Sequence, residues 1–272
     1  MVKIKVLEIF QKQVEKKAAE LPFQVEVLSL LAQEKQDIAW QSTIYRIPWE
    51  VMSFSSRACT KTLTTPDNLR RWGHKVDPKC NLQECGITCT LGHLSMCDKS
   101  LDRFKYRHDG VLAHILKRVM ENKPEGREIF CYLKGWKCNG STVLSDLALT
   151  RQVPDIVLLE RRARRVVILE LPCSFDTEKG INDDMERKQE RYRLLENIHM
   201  KGYTVLNMPL EVGTRGFINT RNFGVLTNLS AICKIKDLKN FRQNLGRISL
   251  LGSYRIWLAR HSQEWAPGDL IE

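Results

Sequence analysis

No apolar run in the 272-residue chain is long: stretches such as residues 166–169 fall far short of the roughly 18 residues that a helical membrane span requires. No membrane partner is expected. Residues 1–12 place charge among their apolar positions from the first turn and lack the continuous apolar centre of a signal peptide, so residence in the nucleus or cytosol is expected. Internal repeats and low-complexity tracts are also missing. A hydrophobic content of 43% with 28% charged residues excludes a wholly disordered tail. Evenly spaced cysteine pairs are missing too: four of the nine fall between Cys80 and Cys97 beside His93, and the rest are scattered. That distribution excludes a secreted disulfide framework and points to a local metal site.

Acid is in short supply overall, with 32 Asp+Glu against 43 Lys+Arg, a net +11. The excess is uneven: +4 over residues 1–79, +2 over 80–124, zero over 125–198 and +5 over 199–272. A polyanion such as nucleic acid suits the basic segments. The neutral third segment concentrates acids inside a basic chain, and metal binding would give them a purpose.

Apolar periodicity predicts amphipathic helices over 3–19 and 24–34, and a third beginning at Pro48. Val111, Leu112, Ile115, Leu116, Val119 and Met120 line one face of a helix over 107–120. Strands follow at 128–133, 155–159 and 165–170, rich in β-branched and aromatic residues. The connection over 160–165 is too short for a helical crossover, so the second and third strands form a hairpin. A helix over 183–201, opened by Asp183 and Glu186 as a capping box and closed by Gly202, leads to a fourth strand at 203–208. The order is α-β-β-β-α-β, with two last helices expected over 224–243 and 247–262.

Cys80, Cys85, His93 and Cys97 supply three thiolates and an imidazole, a donor set suited to tetrahedral zinc in a structural knuckle. Cys89 is a rival, since 85, 89, 93 and 97 are four apart. One helix carrying all four would spread them over about 18 Å, too far for a single ion. Cys80 and Cys85 from a loop, with His93 and Cys97 on a following helical turn, is the preferred arrangement. Arg70, Arg71 and Lys75 nearby could contact phosphates.

Asp155 starts one strand of the hairpin and Glu170 ends the other. They meet if the 160–165 turn is tight and the register shears slightly, and two carboxylates there would bind a hard divalent ion such as Mg²⁺. On the helix that follows, Met185, Lys188, Tyr192, Leu195 and His199 share one seam, which Lys188 interrupts. Lys188 could orient the attacking water or neutralise developing charge, or instead snorkel to solvent and pair with Asp184. Tyr192 is either a partner for the scissile phosphate or a core tyrosine.

Several segments, in one order over about residues 40–230, resemble the C-terminal part of non-LTR retrotransposon reverse transcriptase polyproteins of the restriction-like-endonuclease class. They are Thr65-Pro-Asp-Asn-Leu-Arg-Arg-Trp-Gly73, the Cys80 to Cys97 cluster, Arg103-x2-Tyr106-Arg-His-Asp109, Pro154-Asp-Ile-Val-Leu158, Val167-Ile-Leu-Glu-Leu171, Lys188-x3-Tyr192 and Glu211-Val-Gly-x-Arg-Gly216. The resemblance implies an α/β fold with a PD-(D/E)XK restriction-endonuclease-like core, preceded by a helical segment and a small zinc knuckle. It implies a nuclease that nicks target DNA, with structural Zn²⁺ at the knuckle and catalytic Mg²⁺ or Mn²⁺ at Asp155 and Glu170. Lys188 matches a lysine that in this class has moved from strand to helix, Tyr192 the helix tyrosine, and Glu211 through Gly216 the loop after the last strand, where Arg215 could hold a phosphate. DNA is the implied partner, with element RNA as a second candidate.

The chain departs from the class in reading Glu170-Leu-Pro-Cys-Ser-Phe-Asp176, with Pro172 beside the catalytic edge, and in its knuckle spacing. It contains no Tyr/Phe-x-Asp-Asp polymerase motif. The expected organisation is a helical, basic lead-in over 1–75, a zinc knuckle over 76–106, the endonuclease core over 107–223 and C-terminal helices over 224–272. The alternative is a non-catalytic nucleic-acid-binding remnant of such a polyprotein.

Overall fold

The computed structural model describes residues 45–82, 85–140, 153–175 and 202–262, with isolated positions at 12–13, 16–17, 20–21, 37–38, 186 and 264–265. The helices expected over 3–19, 24–34 and 183–201 fall almost wholly outside the described residues, and Lys188 and Tyr192 lie outside them too.

The short strand β1 (Asp37–Ile38) precedes helices α1 (Trp49–Cys59), α2 (Pro66–Arg71) and α3 (Leu91–Ser95). A long helix α4 (Leu101–Glu121) then leads into strands β2 (Arg127–Cys131), β3 (Ile156–Glu160), β4 (Arg165–Glu170), β5 (Thr204–Pro209) and β6 (Phe217–Ile218). Helices α5 (Asn222–Cys233) and α6 (Leu238–Leu258) close the described chain. The architecture is mixed α/β. Its sheet has the order β2-β3-β4-β5, with β2, β3 and β4 antiparallel and β5 parallel to β4.

The hairpin between β3 and β4 follows from its sequence. Glu160 pairs with Arg165 across a turn in which Arg164 adopts φ 46°. Every residue from Ile156 to Leu159 and from Val166 to Glu170 is buried, so side chains from both faces of these two strands go into cores. On one face Ile156, Leu158, Val167 and Leu169 meet Leu112, Ile115, Leu116 and Val119 of α4 and Phe241, Leu245 and Ile248 of α6. On the other, Phe130, Val157, Leu159, Val166 and Ile168 form a separate apolar cluster with Val205. Below the hairpin turn Arg127 is buried and clamps Glu160, which Arg165 also binds. Burial opposes ionisation of Glu160, yet the two guanidiniums still hold its carboxyl below the usual range.

Two helix boundaries differ from expectation. The helix expected from 107 begins earlier, at Leu101. The expected break between the last two helices at 244–246 lies instead at 234–237. Lys234 and Asp237 both take positive φ there, and the Asp237 side chain accepts from the Asn240 amide to start α6. Gly246 therefore sits inside α6, where its missing side chain permits burial rather than a turn.

Helix α6 also joins the knuckle to the sheet. A further core gathers Val51, Phe54 and Ala58 of α1, Cys80, Leu82, Leu94 and Cys97 of the knuckle, and Leu250 and Trp257 of α6. The lead-in helix α1 and the knuckle thus share one core with the C-terminal helix. Arg107 of α4, 1% exposed, ties these parts by donating to Ser253 of α6, to the Ser95 carbonyl at 3.3 Å and to the Cys173 carbonyl at 3.4 Å.

Candidate active site and metal centre

The knuckle begins as a small hairpin. Lys79 bridges Thr88, the Cys80 amide donates to the Ile87 carbonyl and the Cys89 amide to the Pro78 carbonyl, each at 2.7 Å. Gly86 takes φ 70°, which lets the chain reverse just after Cys85. The Thr90 hydroxyl then caps α3 by accepting from the His93 amide, fixing the turn that carries His93. Cys97 follows two residues after α3 ends rather than on its last turn. The ligand atoms of Cys80, Cys85, His93 and Cys97 all lie within 4.8 Å of one another. Cys85 Sγ is 3.4 Å from His93 Nε2 and 3.7 Å from Cys97 Sγ. Ligand atoms on a tetrahedral ion with Zn–S near 2.3 Å are spaced about 3.8 Å apart, with pairs that include nitrogen slightly closer. This cluster could hold a metal ion such as zinc.

Cys89 is absent from that group and lies buried in the adjoining core. Burial pushes the Cys80 and Cys97 thiols up, Cys97 to about 11, and lowers His93. Three deprotonated thiols this close would need a cation among them.

The paired carboxylates come together at the far end of the hairpin from its turn. Ile156 pairs with Leu169, so the same register extended by one residue sets Asp155 opposite Glu170, and no shear is needed. Glu170 Oε1 accepts from the Asp155 amide at 3.2 Å, and Asp155 Oδ2 accepts from the Leu171 amide at 2.8 Å. Both side chains are largely buried, with Asp155 8% and Glu170 1% exposed.

Beside them stands a group that periodicity did not single out. His108 of α4 directs Nε2 to within 3.4 Å of Asp155 Oδ2. Its Nδ1 lies 3.2 Å from Asp109 Oδ1 and 3.0 Å from the Tyr132 hydroxyl, which itself bonds Asp109. Burial and the adjoining Asp109 push the Tyr132 hydroxyl up, so it stays protonated and donates. The signal was present: His108 lies four residues before Leu112 and three before Val111, a polar residue continuing an apolar stripe.

Arg70, Arg71 and Lys75 are exposed, on α2 and the segment after it. Thr65 caps α2 and Pro66 opens it, which fixes the direction of this basic stretch. Arg71, Lys61, Thr65, Thr90, Gly92 and Phe175 help line a groove of about 300 Å³ between α2 and the knuckle. Phe175 follows Glu170 by five residues, so the groove adjoins the segment leaving the carboxylates. Arg215 is placed differently from these cations. It is 3% exposed, with its guanidinium 5.0 Å from the Phe175 ring centre and 5.3 Å from that of Phe217. The loop carrying it turns at Gly216, φ 79°, and is pinned to α6 by Ser249 donating to the Gly213 carbonyl at 2.7 Å.

No helix among the described residues is long and apolar enough to cross a membrane. No protein-family model matches the chain, and no curated protein is significantly similar to it.

Proposed function

We propose that this protein is a metal-dependent DNA endonuclease that nicks one strand, built on a PD-(D/E)XK restriction-endonuclease-like core and derived from a non-LTR retrotransposon polyprotein. The observation that carries the reading is the pairing of Asp155 and Glu170 across the β3–β4 end, each carboxylate held by a main-chain amide of the other strand's terminus. An α-helix, three antiparallel strands and then a parallel fourth strand beside β4 fit that core. Exposed Arg70, Arg71 and Lys75, with a net +11, fit a DNA partner and a nuclear site of action; element RNA offers the same phosphates.

The donor set suits a hard ion: two carboxylates that share one edge present the oxygen ligands such an ion takes. Asp155 and Glu170 would hold Mg²⁺ or Mn²⁺, which when bound lowers the pKa of water and offsets charge on the scissile phosphate. The protein's own part is to fix both carboxylates before DNA arrives, so that little ordering remains for the reacting complex. In this reading Lys188 and Tyr192, which lie in sequence between β4 and β5, are the residues assigned to the attacking water and the phosphate.

A second reading, a non-catalytic nucleic-acid-binding remnant, is favoured by the same burial, because main-chain amides already occupy oxygens of both acids. Gel-shift and cleavage assays on one DNA duplex separate the two. The endonuclease reading expects Mg²⁺-dependent cleavage by the wild type and, for Asp155→Ala/Glu170→Ala, retained binding without cleavage. Binding without cleavage by the wild type in Mg²⁺ or Mn²⁺ supports the remnant instead.

A further inference from the structure

The polar group behind Asp155 is assembled from three separate stretches of chain, and each member has a defined neighbour. Asp155 Oδ2 is approached from two directions: the Leu171 amide donates to it at 2.8 Å, and His108 Nε2 lies 3.4 Å away. The imidazole is set in turn by Asp109 Oδ1 at 3.2 Å and the Tyr132 hydroxyl at 3.0 Å, with the His108 and Tyr132 rings nearly parallel at an interplanar angle of 15°. Lys105 Nζ lies 5.5 Å from the Tyr132 ring centre. The side chains of His108, Asp109 and Asp155 are 19%, 15% and 12% exposed, so water does little to screen or reorient them.

A simple packing position would not require this arrangement. His108 sits where the apolar stripe of α4 would otherwise continue, and an aliphatic residue there would fill space without bringing a nitrogen to a carboxylate. Among the described residues, the one group of three or more His, Cys, Asp or Glu side chains arranged to hold an ion is the knuckle cluster. His108 has its Nε2 turned to Asp155 and its Nδ1 to Asp109 and Tyr132. It stands behind Asp155, as an outer partner stands behind a metal-binding side chain.

We propose that His108, held by Asp109 and Tyr132, is a positioning residue that orients the Asp155 carboxylate for a divalent cation. The proposal rests on the reading of Asp155 and Glu170 as the pair that holds this ion. Outer partners of this kind are worth about 10- to 100-fold in metal affinity. Without the imidazole, Asp155 loses the contact that fixes it from the α4 side.

Titrating Mn²⁺ into the full chain with the knuckle loaded with zinc, and following the free Mn²⁺ signal by electron paramagnetic resonance, tests the proposal without reference to turnover. His108→Ala is expected to weaken Mn²⁺ binding by about 10- to 100-fold. His108→Gln, whose amide N–H can replace Nε2–H, should recover most of the loss, and Tyr132→Phe should weaken binding less than His108→Ala. A thermal midpoint measured on each variant identifies loss of fold, and if the Ala variant does not fold, His108→Leu, which fills the stripe position without an N–H, replaces it with the same expected loss. Wild-type affinity in His108→Ala overturns the proposal while the carboxylate reading stands. Equal loss in folded Ala and Gln variants also overturns it, because the N–H would then be irrelevant. If the wild type binds no more Mn²⁺ than Asp155→Ala/Glu170→Ala, the carboxylate reading falls, and the proposal with it.

Discussion

Replacing Gly252 with alanine perturbs the contact that fixes α4 against α6. A Cβ at Gly252 would lie 2.8 Å from Arg107 Cγ, 2.9 Å from its Cβ and 3.2 Å from its Cα. Carbon atoms prefer about 3.5–4.0 Å, and a backbone Cα cannot swing aside, so the helices must separate. Overpacking of this kind costs about 1–3 kcal/mol, against a gain of about 1 kcal/mol from removing a helical glycine. Separation also strains the bonds from Arg107 to Ser253, Ser95 and Cys173, and losing one bond from a charged donor adds about 1.5–3 kcal/mol. The net expectation is a destabilisation of about 3 kcal/mol, a fall in Tm of roughly 6–12 °C for a chain of this size. Differential scanning calorimetry reads it, with Gly224→Ala as the control: Gly224 is helical and a Cβ there would meet nothing within 4 Å, so that variant should match or exceed the wild type. A Gly252→Ala midpoint at or above wild type would refute the packing argument, because propensity alone would then decide the outcome.

Zinc analysis of freshly purified protein is expected to give one equivalent per chain. Cys97→Ser should lose it and Cys89→Ser should keep it, and the opposite pattern would assign Cys89 to the site. Because Cys80, Leu82, Leu94 and Cys97 share a core with α1 and α6, chelation should lower Tm as well as release metal. His114 carries a pH-dependent prediction. Burial first, then Arg118, Lys117 and Arg247, lower it to about 4, and it stacks on Phe241. It is therefore neutral in the fold and charged in the unfolded chain below pH 6.5. Its contribution is complete above 6.5 and is lost as pH falls toward 4, by up to about 3 kcal/mol. Urea denaturation of wild type and His114→Leu between pH 7 and 4 should show a shallower loss in the variant; equal slopes would count against it.

The elements legible in the sequence were those set by short-range rules. A connection over 160–165 too short for a crossover made a hairpin of β3 and β4, and that hairpin brings Asp155 and Glu170 together. The grouping of Cys80, Cys85, His93 and Cys97 was legible because donor chemistry and helix length set Cys89 apart from them. Features that depend on distant contacts were not. The sharing of α1, the knuckle and α6 in one core joins residues nearly two hundred positions apart, which no window of periodicity registers. The sequence offered Arg215 as a phosphate contact, and its burial was not legible because its two phenyl neighbours come from different segments, Phe175 after β4 and Phe217 in β6. The α5–α6 boundary was misplaced because Gly246 looks like a stop, whereas the actual start is the Asp237 cap after a left-handed Lys234. His108 lies in a segment of the resemblance and Tyr132 in an expected strand, but neither had a role there, and only the fold sets His108 beside Asp155 with Tyr132 behind it.

The most direct measurement of the central claim is the rate at which supercoiled plasmid is converted to the relaxed form, across a Mg²⁺ titration, by wild type and by Asp155→Ala/Glu170→Ala prepared identically. Nicking should rise with Mg²⁺ in the wild type and stay at the buffer rate in the double variant, with both proteins equally folded. Equal amounts of intact plasmid from the two proteins at every Mg²⁺ and Mn²⁺ concentration would contradict it.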